Sequence, residues 1–469
     1  MPATNRADPR LGLPPIWPAS LRGRIRRAAA ERSVVVLDDD PTGTQTVRDV
    51  PVLIDPSVDD FVRLFEAGTP VAFVLTNSRS LPEDRATALG RTLGRRVARA
   101  AKRTGRPISV VSRSDSTLRG HFPAEVDPLL EALGWPDAPV LLMPYLGDAG
   151  RITIDDTHFV VRDGEAVPVA ETEYARDPAF TYADSNLRRW VAARPGTAGR
   201  PVASLPLALI RGGGPAVVEA ALGALEPRTV CIANAAEDRD AEVVAAATVA
   251  LETSGTPILA RTAAGFVRAR AGQARAAVLT PAHLPLGDGP GLIVVGSHVP
   301  ATTRQLQRLL ADPPIELELV DIPAAQAADP AAGPRIRRRA AERVAELMRS
   351  GVTPVVATSR ERLKTPSDDP SGVAQAARIA RTLMGTVRAL PLQPAWVLAK
   401  GGITSSDVAT VALGTRSALV LGQLLPGVPV WRVDGGRYPG VVLVVFPGNV
   451  GDDSSLRSAV TALARRTRP

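Results

Sequence analysis

Hydrophobic positions in this chain fall into short, nearly continuous apolar runs separated by longer stretches with helical spacing. Residues 33–37 read SVVVL. A run of this kind is expected of a parallel strand covered on both faces. Similar runs occupy 71–75, 108–111, 140–143, 207–210, 230–233 and 258–260. Between them, 86–102, 125–133, 216–222 and 241–251 carry helical patterns. This alternation is the signature of βαβ units. Pro281, Pro285, Gly287, Gly289 and Pro290 then crowd one connection, and the pattern restarts beyond it. Strands are predicted at 291–295, 315–320, 354–357, 396–399, 428–433 and 441–446, and helices at 303–310 and 371–387. Asp368, Asp369 and Pro370 offer capping residues and a first-turn proline for the last helix. The expected fold is α/β, with two α/β domains built on mainly parallel sheets. A polar arm and first helix cover 1–32, one domain covers 33–280 and a second covers 281–469.

Composition narrows the function. Hydrophobic residues are 45% and charged residues 22%, as in ordinary globular chains. Aromatics are only 4%, so the cores must be aliphatic. The formal net charge of +8 invites a nucleic-acid partner, but the basic residues are scattered among acids. Only Arg335, Arg337, Arg338 and Arg339 cluster, on a helical segment that reads as a solvated face. No nucleic-acid partner is expected. Three of the 56 basic residues are lysines: Lys102, Lys364 and Lys400. Cys231 is the single cysteine, which excludes an intramolecular disulfide, and it sits in a core-like run. His121, His158, His283 and His298 are too far apart in sequence to suggest a zinc site. No apolar run approaches the ~20 residues of a membrane span, and the N-terminus lacks an apolar leader. A cytoplasmic protein with no membrane partner is expected.

Open parallel sheets bind ligands at the carboxyl ends of their strands. The first strand is followed by Asp38, Asp39, Asp40, Pro41, Thr42 and Gly43. Three adjacent carboxylates held by a tight turn suit a metal or a hydroxyl-rich ligand. The next strand is followed by Thr76, Asn77, Ser78, Arg79 and Ser80, and the third by Ser112, Arg113, Ser114, Asp115, Ser116, Thr117 and Arg119. The fourth leads to Gly150, Arg151, Asp155, Asp156 and His158. Arginine suits bidentate carboxylate recognition, and Ser, Thr and Asp suit hydroxyls. Together these loops suggest a small polyhydroxy acid. The second half carries glycine turns instead: Gly296-Ser297, Lys400-Gly401-Gly402-Ile403-Thr404 and Gly448-Asn449-Val450-Gly451. Glycine lets backbone amides approach a phosphate, so three such turns suggest a nucleotide, with Lys400 as a point charge. The Walker A pattern is absent.

Two readings compete. Residues 34–37 followed by Asp38-x-Asp40-x-Thr42 match the DxDxT signature of haloacid-dehalogenase-like phosphatases, with Asp38 as nucleophile and Asp40 as acid/base. Against this, the later acidic motif would have to be Asp452, across a domain boundary and set back from its strand. Taken together, the loops resemble the four-carbon sugar-acid kinases (threonate, erythronate and 3-oxo-tetronate kinases). The marks are Asp39-Asp40-Pro41-Thr42-Gly43, Asp115-Ser116-Thr117-Leu118-Arg119-Gly120, Gly150-Arg151, Gly401-Gly402-Ile403-Thr404-Ser405 and Gly448-Asn449-Val450-Gly451. The resemblance implies a sugar-acid-binding first domain, a nucleotide-binding second domain and an active site in the cleft between them. It implies ATP with Mg²⁺ as cofactors and leaves room for a homodimer. By position, Asp39, Arg79, Ser116, Arg119 and Arg151 would bind the acid, and Asp115 or Asp40 would be the catalytic carboxylate. Ser297, Gly401, Gly402, Ile403, Thr404, Gly448, Asn449 and Gly451 would hold ATP. Ile403 stands where the family commonly has an acidic residue. A non-catalytic metabolite sensor on the same fold is the third alternative.

Overall fold

The computed structural model describes residues 8–360 and 370–464, so Asp368 and Asp369 lie outside the described residues. The chain forms two compact units. The first comprises residues up to Val47 together with Asp55–Arg275, and the second comprises Arg48–Ile54 together with the chain from Ala276.

The first unit is built on seven parallel strands. In spatial order they are Val71–Leu75, Ser33–Asp38, Ile108–Arg113, Leu259–Thr262, Val140–Met143, Val230–Ala233 and Val202–Leu205. Every residue of the Ser33–Asp38, Val71–Leu75, Val140–Met143 and Val230–Ala233 strands is buried. Burial on both faces explains why these runs are uninterrupted in sequence. Helices Glu83–Thr104, Val126–Leu133, Leu207–Gly223 and Asp238–Thr253 accompany the sheet. The run at 207–210 is not a strand. It opens a helix after Pro206, and the strand is the preceding Val202–Leu205. A short apolar run fits either structure by pattern alone. A separate antiparallel sheet, Arg151–Ile154, Thr157–Arg162 and Glu165–Pro168, grows from the loop after Val140–Met143. Asp155 and Asp156 form its first turn with φ of 48° and 60°, the mirror-image turn that two-residue hairpins favour.

The second unit orders its strands Leu317–Ile322, Thr353–Thr358, Leu292–Val295, Trp396–Lys400, Val442–Phe446, Val428–Val433, Ser417–Leu425 and Val50–Ile54. The first five are mutually parallel and the rest antiparallel. The last of these strands comes from far upstream: Val50–Ile54 pairs with Ser417–Leu425, Ser417 opposite Leu53. Arg335, Arg337, Arg338 and Arg339 are exposed on helix Gly333–Arg349, as a solvated face requires. Cys231 is fully buried. No described helix is long and apolar enough to cross a membrane.

Both units contain a point where the chain reverses its direction of strand addition. From Ser33–Asp38 the chain runs to Val71–Leu75 on one side, then to Ile108–Arg113 on the other. Likewise Leu292–Val295 lies between Thr353–Thr358 and Trp396–Lys400. Loops leaving such neighbours diverge and open a crevice at the strands' carboxyl ends.

Candidate functional site

The crevice of the first unit is filled with charge. Asp38 ends its strand, and Arg113 Nη1 donates to Asp38 Oδ1 (2.9 Å) and Asp39 Oδ1 (3.1 Å). Asp40 caps the short 3-10 helix Pro41–Thr46, its Oδ1 accepting from Thr42 N (2.8 Å) and Thr42 Oγ1 (2.6 Å). Arg79 reaches in from the next loop. Its Nη2 donates to Asp40 Oδ2, and its Nη1 lies 3.1 Å from Asp115 Oδ1 and 4.0 Å from Asp39 Oδ2. Asp115 Oδ2 accepts from Arg119 Nε (2.9 Å), Thr117 N (3.1 Å) and the Thr117 hydroxyl. Asp39, Asp40, Arg79, Asp115 and Arg119 therefore form one network, drawn from three loops that follow three neighbouring strands.

Two elements fix the loop after Ile108–Arg113. His158 on the small sheet donates from Nε2 to Ser116 O (2.8 Å) while its Nδ1 pairs with Thr153 Oγ1 (2.9 Å). Tyr182 OH donates to Thr117 O (2.7 Å). The next residue, Leu118, is held at φ 68°. Ser116 is thus placed by its carbonyl, with its side chain buried. Arg151 stands one ring away: its guanidinium and that of Arg119 lie over Tyr174, 5.5 and 5.2 Å from the ring centroid.

The carboxylates differ electrostatically. Burial pushes Asp38 up to about 7 against the pull of Arg113. Burial also raises Asp39, opposed by Arg79 and Arg113. At Asp40 burial acts upward but is outweighed by Arg79, Arg113 and Thr42, so the group titrates below the ordinary value. At Asp115 burial is overcome more strongly by Arg119, Arg79 and Thr117, which hold it well below the carboxylate range. Among the described residues, Asp38 Oδ2 and Asp39 Oδ2 are buried without a hydrogen-bond partner.

These facts weigh against Asp38 as a phosphatase nucleophile. It is 1% exposed, and any methyl on Gly43 would overlap its carboxylate. A phosphomonoester has no approach to it. Among the described residues no group of three or more His, Cys, Asp or Glu side chains could hold a metal ion.

The second unit brings its three glycine turns to one residue, Ser297, beyond Leu292–Val295. A Cβ on Gly401 would lie 2.9 Å from Ser297 Cβ, and one on Gly448 2.7 Å from Ser297 Oγ. Gly401 also has φ 122°, a backbone that favours glycine. Thr302 Oγ1 donates to Gly448 O (2.8 Å) and lies 3.2 Å from Ser297 Oγ. Arg360 Nη2 donates to Ser297 O (2.6 Å). Gly402 opens helix Gly402–Asp407, Thr404 is buried in it, and Ile403 projects outward, 63% exposed. Asn449 and Gly451 are exposed on the third turn, Gly451 at φ 83°. Lys400 departs from expectation. It is fully buried, and Nζ donates to Pro447 O (2.6 Å) rather than offering its charge to solvent.

Sequence reasoning named Arg113 and His158 only as members of candidate loops and singled out none of Arg261, Tyr174, Tyr182 or Thr302. Arg261 Nη1 donates to Ser112 Oγ (2.7 Å) and lies 3.3 Å from Glu125 Oε2. It occupies a strand end, the very position searched elsewhere, but the predicted run stops at residue 260 and the strand continues to Thr262.

Comparison with known proteins places these two sites in context. A family model described as a sugar-binding N-terminal domain matches residues 34–270. One described as a nucleotide-binding C-terminal domain matches residues 292–456. A D-erythronate kinase from Heliobacterium modesticaldum (strain ATCC 51547 / Ice1) is 29% identical over 283 residues, 58% of this chain. The alignment spans 59% of that protein's length. A crystal structure from Salmonella typhimurium LT2 shares the fold with TM-score 0.66 at 20% identity, over 91% of this chain and 98% of that one. A Haemophilus influenzae protein does so with TM-score 0.60 at 19% identity, over 92% and 100%.

Proposed function

Because the chain belongs to the four-carbon acid sugar kinase family, we propose that it is an ATP-dependent kinase. Its acceptor is a hydroxyl of a four-carbon sugar acid, with erythronate the first to test, given the relative's name. The observation that carries this reading is the meeting of the Gly401 and Gly448 turns at Ser297, in the turn after a neighbouring strand, packed so closely that a side chain on either glycine would clash; glycine turns of this kind let the backbone approach a phosphate.

Phosphoryl transfer depends on positioning and charge neutralisation more than on covalent chemistry. Arg119 or Arg79 clamps the substrate carboxylate, exchanging an internal carboxylate partner for the ligand's. Asp115, or Asp40 in its place, then accepts a hydrogen bond from the reacting hydroxyl and orients it. Proton transfer in such a reaction is late enough that a carboxylate of low proton affinity serves as an orienting acceptor. Asp39, whose Oδ2 lacks a hydrogen-bond donor and lies 4.0 Å from Arg79 Nη1, receives a second hydroxyl of the substrate when Arg79 turns to the ligand. Ser116 and Arg151 line the remaining substrate surface. Ser297, Gly401, Gly402, Ile403, Thr404, Gly448, Asn449 and Gly451 hold the nucleotide. Mg²⁺ arriving with ATP would be carried chiefly by its phosphates and water.

The test is ADP release from MgATP across a panel of four-carbon sugar acids, with controls lacking substrate or ATP. Acid-dependent ADP formation is the expected result and names the acceptor. Tight ATP or acid binding without turnover on any acid would overturn the kinase reading in favour of a sensor.

A further inference from the structure

We propose that Lys400 is a positioning residue: its buried ammonium fastens two glycine turns together and takes the polyphosphate of the bound nucleotide as its counter-charge, so that nucleotide binding is coupled to proton uptake at Nζ. This coupling presupposes that the second unit binds a nucleotide, as proposed above.

The geometry is that of a staple. Lys400 is the last residue of strand Trp396–Lys400, directly before Gly401. Its Nζ donates to the carbonyl of Pro447, the first residue after the neighbouring strand Val442–Phe446, and lies 3.8 Å from the Phe446 ring centroid. The turns beginning at Gly401 and Gly448 are therefore joined one residue before each begins. Both turns meet Ser297.

The charge on this staple is uncompensated. Among the described residues no carboxylate comes within ion-pair distance of Nζ, and burial alone shifts its titration. On the flanking strands its register partners are Val295 and Phe446, neither of them titratable. Asp407, on the helix that follows, is raised by burial alone, and Arg360, on Ser297, is lowered by burial alone. Neither registers the charge of Lys400. A buried ammonium is disfavoured until an opposite charge comes near. A triphosphate in the glycine turns would be that charge.

Burial pushes Lys400 down to about 7, so the free protein holds it partly neutral near neutral pH. An anion beside it raises that value. Between the free and bound values, binding takes up a proton, and ATP affinity falls by up to ~10-fold per pH unit as pH rises. Below the free value Nζ is already protonated before binding, no proton is taken up and the affinity is flat.

Titration calorimetry of ATP into the full chain, at about pH 8 in two buffers of different ionisation enthalpy, reads the proton directly. Lys400→Met keeps the length and loses the charge, and it also subtracts the nucleotide's own protonation. The expected result is proton uptake in the wild type beyond that of Lys400→Met, together with a steeper fall of wild-type ATP affinity between about pH 7 and 9. The variant's ATP affinity at about pH 7 should be lower by ~10-fold or more, with KM for the acid unchanged. Equal proton uptake in both proteins would overturn the coupling. If Lys400→Met does not fold, a wild-type affinity that is flat across that pH range overturns it alone. Absence of any ATP binding to the wild type would instead defeat the nucleotide reading.

Discussion

Arg79→Gln removes a guanidinium that Asp39, Asp40 and Asp115 share. At an effective dielectric of about 20, its attraction is about 5 kcal/mol to Asp115 at 3.1 Å and about 4 kcal/mol to Asp39 at 4.0 Å. The desolvation of the guanidinium offsets much of this, and Arg113 and Arg119 still supply positive charge. Loss of one partner from a buried ion pair costs about 3–5 kcal/mol. For a unit of this size that lowers Tm by roughly 6–20 °C. The pH dependence provides the sharper signature. Asp40 and Asp115 titrate below their ordinary values in the fold. They therefore stabilise the wild type above the unfolded carboxylate value, a contribution lost only as pH falls through their lower folded values. Without Arg79 these groups, and the already raised Asp38 and Asp39, bind protons more readily in the folded state. The variant should recover more stability on mild acidification than the wild type, which gains from the raised Asp38 and Asp39 but not from Asp40 and Asp115. Differential scanning calorimetry at about pH 7.5 and about pH 5 checks this, the gap in Tm narrowing at the lower pH. A drop under about 3 °C at neutral pH, or one of equal size at both, would refute the shared-guanidinium account.

Four further outcomes are expected. Asp115→Asn lowers kcat by ~10²–10⁴ while ATP still binds, and unchanged turnover would remove Asp115 from the role of orienting carboxylate. Gly448→Ala sets a methyl 2.7 Å from Ser297 Oγ. It should raise KM for ATP by about 10-fold or more with little change in Tm, and an unaltered KM would take this turn out of the phosphate site. Burial holds His158 down at about 4, so the fold loses stability as pH falls from the unfolded value of about 6.5 toward 4. His158→Gln should flatten that part of the Tm profile, and an unchanged slope would show that the imidazole takes up no proton on unfolding. The Cys231 thiol is buried and pushed up to about 12. An aromatic disulfide reagent should leave it unmodified in the native protein and label it fully in denaturant, whereas rapid native labelling would contradict its place in the core.

The parallel core was legible because burial on both faces writes uninterrupted apolar runs into the sequence, as at Ser33–Asp38 and Val230–Ala233. Strands with one open face write a weaker signal. Ser417–Leu425 alternates buried and half-buried residues, and Val50–Ile54 is short and carries Pro51. Neither was found, nor was the small sheet bearing His158. At the site, positions after strands identified Asp39, Asp40, Arg79, Asp115 and Arg119 as neighbours, since parallel strands bring their carboxyl ends together. Side-chain direction was not legible in the same way. Lys400 ends the right strand, yet it is buried with its Nζ over the Phe446 ring. Contacts such as Arg261 with Ser112 join residues nearly 150 positions apart, and nothing in the local pattern announces them.

The strand Val50–Ile54 has a consequence for how this chain can be cut, moved or inherited. The polypeptide passes between the two units at Val47/Arg48, at Ile54/Asp55 and at Arg275/Ala276. A scissile site or gene fission at the third crossing would therefore not yield two self-sufficient proteins. The C-terminal fragment would lack the strand Val50–Ile54, and the backbone groups of Ser417–Leu425 that now meet Val50, Val52 and Leu53 would lie open. An uncovered edge of that kind recruits other chains. The second unit can thus be transplanted or expressed apart only if the short stretch Arg48–Ile54 travels with it, and recombination between relatives must exchange the two together.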